Sequence, residues 1–308
     1  MNVLLAAEES AGVQALRSLV EGGYRVPAVL TGAVGASRGT TVGAAAEKLD
    51  IEVFPSERVK SAELSEWIMQ EKIDIFLNVH SLYVIHEENV RAPRIGSFNL
   101  HPGPLPAYAG LNAPSWAIYN GESSHAVTLH WMDVGIDTGA IAYSAEFDIQ
   151  DTDTGLSVSA RCVREGLPLI SQLLDTAAKD PEAIPAHEQD GSDRRYFGRE
   201  VPQQGRIEWS QTARRIVDFV RACDYSPFTS PWGEPRASLE GRAVSILRAA
   251  TTGDPCSAPP GTVGPSADGA ASVATADEWI LVHRVRLDGT AVSAPEVLEE
   301  GRRLQDGD

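Results

Sequence analysis

The sequence predicts an α/β fold, a parallel sheet covered by helices on both faces, followed by a small all-β domain. Three observations carry this. From Asn2 to about Ile170, apolar strand-like runs alternate with stretches of helical periodicity. A Pro-, Ala- and Asp-rich stretch, "KDPEAIPAHEQDGSDRR", then breaks the alternation as a linker would. Beyond it, short strand-like runs are separated by Gly/Pro turns. The expected domains are residues 1–190 and 205–308.

In order, "NVLLAA" reads as a buried strand. Ala11–Gly22 places Val13, Leu16, Leu19 and Val20 at helical spacing and stops at Gly22-Gly23. "VPAVLT", "IEVF", "IDIFLNV" and "IGSFNL" continue as strands, with helices around Val42–Leu49, Ala62–Glu71 and Leu156–Ala177. In the second half "AVSIL", "ASVATA" and "WILVHRVRL" read as strands, and the final "EGRRLQDGD" as a frayed tail.

A chain of 308 residues with 43% hydrophobic composition can bury a substantial core. The start lacks a basic segment followed by an apolar one, and no run of about 18 apolar residues occurs, so a cytoplasmic protein without a membrane partner is expected. Cys162, Cys223 and Cys256 are too scattered for a disulfide framework or a zinc motif, and no metal is expected. A net charge of −17 opposes long-range attraction to phosphate backbones. Residues 201–308 carry 11 Arg and no Lys against 15 Asp and Glu, a net of −4, so nucleic acid is not the expected partner.

Neither GxGxxG after the first strand nor GxxxxGK[ST] occurs, so the sheet lacks the usual dinucleotide and triphosphate fingerprints. The chemistry concentrates after "SFNL", in the turn-rich segment His101–Gly110, at a strand's carboxyl end where open α/β sheets bind ligands. Strand alternation puts Asn99 and His101 on one side. Asp137 lies in the Gly-flanked loop of "HWMDVGIDTGAI", between the strand-like runs His125–Met132 and Ala140–Phe147. An amide that donates without titrating, an imidazole and a carboxylate suit acyl transfer to an amine, which needs an oxyanion donor and a proton acceptor. On spacing alone, Asn99 could cap a turn, His101 could be a satisfied buried histidine, and Asp137 could be an Asp-Gly turn residue. His80, His125 and His130 read as structural or supporting, and Trp116, Trp131, Tyr108 and Tyr225 as core or rim more than pocket.

The order N-x-H, L-P-x-x-x-G and D-x-G, present as Asn99, His101, Leu105-Pro106, Gly110 and Asp137-Thr138-Gly139, resembles the formyltransferase family that uses 10-formyltetrahydrofolate. The resemblance covers nearly the whole chain, because "DRRYFGREVPQQGRIEWSQTARRIVDFVRACDYSPFTSPWG" looks like the join to the carboxyl-terminal β domain of two-domain members. It implies a Rossmann-like sheet with an OB-like second domain, and Asn99, His101 and Asp137 as catalytic residues. It also implies 10-formyltetrahydrofolate as cosubstrate, held at Leu82, Tyr83, Val84 and Ile85 and at Met132, Asp133 and Val134. The acceptor would bind near Pro104, Tyr108, Gly110 and Asn112. Many members read S-L-L-P where this chain has Gly103-Pro104-Leu105-Pro106, a departure that bears on the acceptor more than on the reaction. The acidic charge points to a small-molecule amine, such as a sugar-nucleotide amine or an amino-acid-like or hydroxylamine precursor. The corresponding loop of tRNA-binding members is richer in Lys and Arg than "TGAVGASRGTTVGAAAEKLD", which carries Arg38 and Lys48. The alternative acceptor is charged initiator tRNA, as in methionyl-tRNA formyltransferase, and a hydrolase passing the formyl group to water is a further reading.

Overall fold

The apolar run after Asn2 forms β1 (Val3–Ala7), with all five residues buried, and α1 (Glu9–Glu21) follows directly. The structure, a computed structural model, describes residues 1–32, 40–81 and 83–307; Arg38 and Leu82 lie outside the described residues. Gly12 sits where a Cβ would come within 2.7 Å of the Ala7 Cβ, so the helix approaches its strand closely only because that position is bare. The alternation then runs through β2 (Ala28–Thr31), α2 (Val42–Glu47), β3 (Glu52–Pro55), α3 (Glu63–Gln70), β4 (Ile75–Val79), α4 (Glu87–Arg91) and β5 (Gly96–His101). Thr41 caps α2 by accepting the Ala44 N–H at 3.1 Å. Short β6 (Ala109–Gly110), helix α5 (Ala113–Tyr119), β7 (Ser124–Trp131), β8 (Ile141–Asp148) and the long α6 (Gly155–Lys179) complete this half.

The seven-stranded sheet has the order β3-β2-β1-β4-β5-β7-β8. Strands β1 to β5 pair in parallel, and β7 pairs antiparallel to β5. Gly166 of α6 packs where a Cβ would meet Leu100 at 2.8 Å, fixing the helix tightly on β5. Leu4, Ala6, Leu30, Leu64, Ile68 and Phe76 belong to a core cluster with Tyr83, Ile85 and Met132 packed against it.

The chain divides into two compact units: Met1–Gly110 with Ala126–Phe147 and Arg161–Tyr196, and Leu111–His125 with Asp148–Ala160 and Phe197–Asp308. After β9 (Tyr196–Phe197), the second unit continues with α7 (Ala213–Cys223), capped where Thr212 accepts the Arg215 N–H, and packed on α5. An antiparallel sheet follows: β10 (Arg236–Leu239), β11 (Arg242–Pro255), β12 (Val263–Ala267), β13 (Ala270–Ala274), β14 (Glu278–Leu287), β15 (Thr290–Ser293) and β16 (Leu304–Asp306). Its order is β12-β13-β14-β11-β10-β16, with β15 on β14, and a bridge between Thr262 and Arg303 joins the two ends of that order. The expected α/β sheet followed by an antiparallel domain is what the chain forms.

One expectation is corrected. The final residues are not a frayed tail: Leu304 is buried in β16, which pairs with β10, and Asp306 Oδ1 accepts the Trp209 N–H at 2.9 Å. Three residues carry too little alternation to be read as a strand, and long-range pairing makes them one.

Candidate active site

Strand β5 ends in the Asn99/His101 pair, and its two neighbours determine what that pair meets. The register sets Asn78 of β4 opposite Asn99, and from β7 sets His130 opposite Asn99 and Thr128 opposite His101. Asn78 Nδ2 donates to Asn99 Oδ1 at 2.9 Å, which turns the Asn99 amide nitrogen toward His130 Nε2 at 3.1 Å and Asp137 Oδ1 at 3.2 Å. His130 Nδ1 lies 2.7 Å from the Trp131 carbonyl, which can only accept, so Nδ1 carries the proton and Nε2 is the acceptor for Asn99. Thr128 Oγ1 donates to the Gly103 carbonyl at 2.8 Å and accepts from the Leu105 N–H at 3.4 Å, holding the loop after β5 to the sheet.

Asp137 returns to this pair from the loop between β7 and β8. Its φ of 53° lies in the left-handed region, and its side chain is buried. Oδ2 accepts from the Gly110 N–H at 2.8 Å and stands 3.5 Å from His101 Nδ1, while Oδ1 stands 3.5 Å from His130 Nε2. Two glycines make the approach possible. Gly110 adopts φ 96°, and a Cβ on Gly139 would fall 1.9 Å from the Trp131 carbonyl oxygen.

His101 Nε2 lies 2.6 Å from the Tyr108 carbonyl, so both ring nitrogens face acceptors, an arrangement the imidazolium satisfies in full. Burial is the larger influence and pulls His101 below its ordinary pKa, against the raising effects of the Asp137 charge and the Tyr108 carbonyl. Burial alone would raise the Asp137 carboxyl, but the His101 charge, His130 and the Gly110 N–H together hold it far below the usual carboxylate range. The result is an ionised carboxylate beside an imidazole whose proton is easily exchanged. Such a group can stabilise a developing oxyanion and receive a proton from an attacking amine.

The structure therefore brings Asn99, His101 and Asp137 together. Tyr108 and Gly110 reach the cluster through backbone groups; the Tyr108 side chain itself is buried, and the Pro104 carbonyl accepts the Tyr108 N–H at 2.9 Å. Asn112, with φ 57°, stands at the start of α5 in the second unit. Tyr83, Ile85 and Met132 pack against one core cluster, whereas Val84 and Val134 are each 67% exposed, leaving apolar surface on both segments. Asp133 turns its carboxylate into its own loop, accepting from the Gly135 N–H at 2.9 Å and the Thr138 hydroxyl at 2.5 Å. Among the described residues no cluster of three His, Cys, Asp or Glu is placed to hold a metal. Sequence reading gave no catalytic part to Asn78 or His130; the signal was period-two alternation in "HAVTLHW", which puts Thr128 and His130 on one face, but the register against β5 is not written locally.

Fold and site define an α/β enzyme whose half-buried amide and buried imidazole and carboxylate suit acyl transfer. Residues 7–174 match the Formyl transferase family and residues 201–302 match the Formyl transferase, C-terminal domain family. The chain belongs to the two-domain formyltransferase family and is a formyl-transferring enzyme. A methionyl-tRNA formyltransferase of Bacteroides thetaiotaomicron is 29% identical, over 96% of this chain and 94% of that protein. Among solved structures, the N-formyltransferase of Helicobacter canadensis, in complex with folinic acid and dTDP-3-aminofucose, superposes with a TM-score of 0.71 at 19% identity, covering 91% of this chain and 98% of that one. The sugar 3N-formyl transferase WlaRD, in the presence of dTDP and 5-N-formyl-THF, gives a TM-score of 0.70 at 18% identity, covering 92% and 97%.

Proposed function

We propose that this enzyme moves the formyl group of 10-formyltetrahydrofolate onto the amine of a small molecule, with Asn99, His101 and Asp137 as catalytic residues. The observation that carries the proposal is the buried Asp137 carboxylate, which meets the Asn99 amide at 3.2 Å and the His101 imidazole at 3.5 Å. The cosubstrate supplies the activated formyl carbon. Exposed Val84 and Val134, on segments backed by Tyr83, Ile85 and Met132, offer apolar surface for a flat heterocycle. Both Asn99 amide hydrogens are committed, to His130 and Asp137, so an oxyanion recruits this donor by displacing one of them. His101, set between Asp137 and the Tyr108 carbonyl with its charged form disfavoured by burial, is the group that exchanges a proton, and once protonated it is the charged donor. The amine's proton leaves to the His101 imidazole, directly or through water, and the Asp137 carboxylate stabilises the imidazolium that forms.

The small acceptor is supported by the net charge of −17, by the net −4 of residues 201–308, and by the amino sugar in the Helicobacter canadensis complex. A sugar-nucleotide amine is the leading class, with amino-acid-like and hydroxylamine precursors next. Charged initiator tRNA is the second reading, favoured by the near full-length match to a methionyl-tRNA formyltransferase. We place the reaction in the cytoplasm, in keeping with three unpaired cysteines and with no described helix long and apolar enough to cross a membrane. The test is 10-formyltetrahydrofolate turnover with a panel of amines, with charged initiator tRNA and with no acceptor. Turnover restricted to a small amine is expected. Robust tRNA formylation with every small amine silent would transfer the assignment to the second reading, and formate release at the same rate without any acceptor would make the enzyme a hydrolase.

A further inference from the structure

The Asp137 loop is held from outside by a segment with no part in the chemistry described so far. After α6, the chain runs back along β8, where the Ile141 and His187 backbones exchange hydrogen bonds at 2.8 and 2.9 Å, and the Pro185 carbonyl accepts the Trp131 indole N–H at 2.8 Å. That anchoring carries Gln189 to the loop. Its Nε2 donates to the carbonyls of Asp137 at 3.0 Å and Gly139 at 2.7 Å. Only the nitrogen end of the amide can serve two carbonyls, so its orientation is fixed, and Oε1 is left buried without a hydrogen-bond partner. Five residues on, Arg194 donates through Nη1 to the same Asp137 carbonyl at 3.2 Å and through Nη2 to the Ile136 carbonyl at 2.7 Å. Among the described residues Arg194 forms no ion pair; besides these carbonyls its guanidinium faces the Tyr196 ring at 5.9 Å. The segment also ties to the other side of the site: the Arg195 N–H donates to the Pro106 carbonyl at 3.3 Å and the Arg195 carbonyl accepts from the Ala109 N–H at 3.0 Å.

These bonds fall where the backbone needs them. A non-glycine residue at φ 53° sits in a conformation that costs about 1 kcal/mol or more, and it persists only where its surroundings over-determine it. Were Asp137 to relax to negative φ, its carboxylate would swing away from His101, Asn99 and the Gly110 N–H. Asp133 tethers the loop through Gly135 and Thr138, but it does not touch the Asp137 peptide; Gln189 and Arg194 do. A partly buried amide that leaves its own oxygen unpaired in order to aim both hydrogens at the loop is more than packing.

We infer that Gln189 and Arg194 are positioning residues for formyl transfer: by holding the carbonyls of Ile136, Asp137 and Gly139 they lock Asp137 in the left-handed conformation that aims its carboxylate at His101 and Asn99. The inference rests on the reading of Asp137 as catalytic. It assigns the segment after α6 to the reaction rather than to the linker.

Gln189→Met keeps the volume and removes the donors, Gln189→Glu keeps the shape and turns a donor into an acceptor, and Arg194→Met and Arg194→Lys remove and partly restore the second clamp. The full-length variants are assayed for kcat, KM of both substrates, thermal midpoint and the pH dependence of kcat/KM, with Asp137→Asn alongside. Both Gln189 variants and Arg194→Met are expected to lose about tenfold in kcat, with KM within about twofold and Arg194→Lys recovering part of the loss. The groups facing His101 are Asp137, His130, His80 and Arg194, and of these only Asp137 raises its pKa. A misaimed Asp137 therefore moves the His101 limb of the Gln189→Met profile to lower pH, a change that mere loss of stability does not produce. Normal kcat and an unmoved profile in both Gln189 variants, with Asp137→Asn inactive, would overturn this inference alone. A fully active Asp137→Asn would overturn the reading of the site together with it.

Discussion

Two buried carboxylates, one in each unit, show how partners decide what a charge can do. Asp218 on α7 accepts from Arg221 Nη2 at 2.6 Å and from Arg214 Nε at 2.8 Å, and Arg221 donates further to the carbonyls of Gln150 at 3.1 Å and Asp153 at 2.8 Å. Guanidiniums keep their charge in a protein, so that cluster is held by fixed cations and joins α7 to the stretch before α6. Asp137 is also buried, but the group facing it with a titratable proton is the His101 imidazole, and its hydrogen bonds come from an amide and a backbone N–H. Burial pulls that imidazole below its ordinary pKa, against the raising effect of the Asp137 charge. The first arrangement is a fastener, and the second is what the proposed proton transfer requires, although both are short-range carboxylate clusters.

The comparison breaks most visibly through stability. Asp218→Ala strands the Arg221 guanidinium, which is buried beside it, and should cost about 3–5 kcal/mol of unfolding free energy by denaturant titration, with kcat of the folded fraction unchanged. In the site the pattern reverses. His101→Ala and Asn99→Ala should each lower kcat by about two orders of magnitude, while thermal midpoints move by only a few degrees. A His101→Ala protein that loses its fold but keeps kcat per folded molecule would make Asp137 a fastener too.

A smaller effect sharpens the part of His130. Replacing it by Leu removes the acceptor that orients Asn99 Nδ2, and kcat should fall about tenfold, the worth of one well-placed hydrogen bond, with KM for folate little changed. A separate effect is in pH. Burial, followed by the His101 charge, pulls His80 from 6.5 down to about 4. Its protonated form is disfavoured in the folded state, so the stability it contributes is whole above pH 6.5 and is lost as the pH falls from 6.5 toward 4. Because His80 has φ 59°, Asn is the replacement its backbone tolerates, and His80→Asn should flatten the stability slope across that window. An unchanged slope would mean that His80 does not titrate there.

Much of this was legible in the chain, and the reason differs by element. Strands β1 to β5 are short apolar runs bounded by helical periodicity, so they could be read locally, and period-two alternation alone put Asn99 and His101 on one face. The D-x-G segment announced Asp137 because both a left-handed Asp and the bare Gly139 are written as residue types. What sequence could not show depends on distance along the chain. His130 meets Asn99 through the β5/β7 register, and Gln189 and Arg194 meet the Asp137 loop across 52 and 57 residues. Stretches 111–125 and 148–160 join the second unit, which no composition boundary marks, because α5 packs on α7. Tyr108, read as an acceptor contact by type, serves the site through its carbonyl while its ring is buried, a distinction only the folded backbone makes.

The most direct test of the central claim is kcat for formyl transfer from 10-formyltetrahydrofolate by Asp137→Asn, measured on protein shown to be folded by its thermal midpoint and to bind a stable folate analogue. The substitution keeps size but removes the charge that faces His101 and turns one of the two accepting oxygens into a donor. A kcat at least about a hundredfold below the unsubstituted enzyme is expected, with folate affinity retained. A kcat within about threefold would contradict a catalytic Asp137.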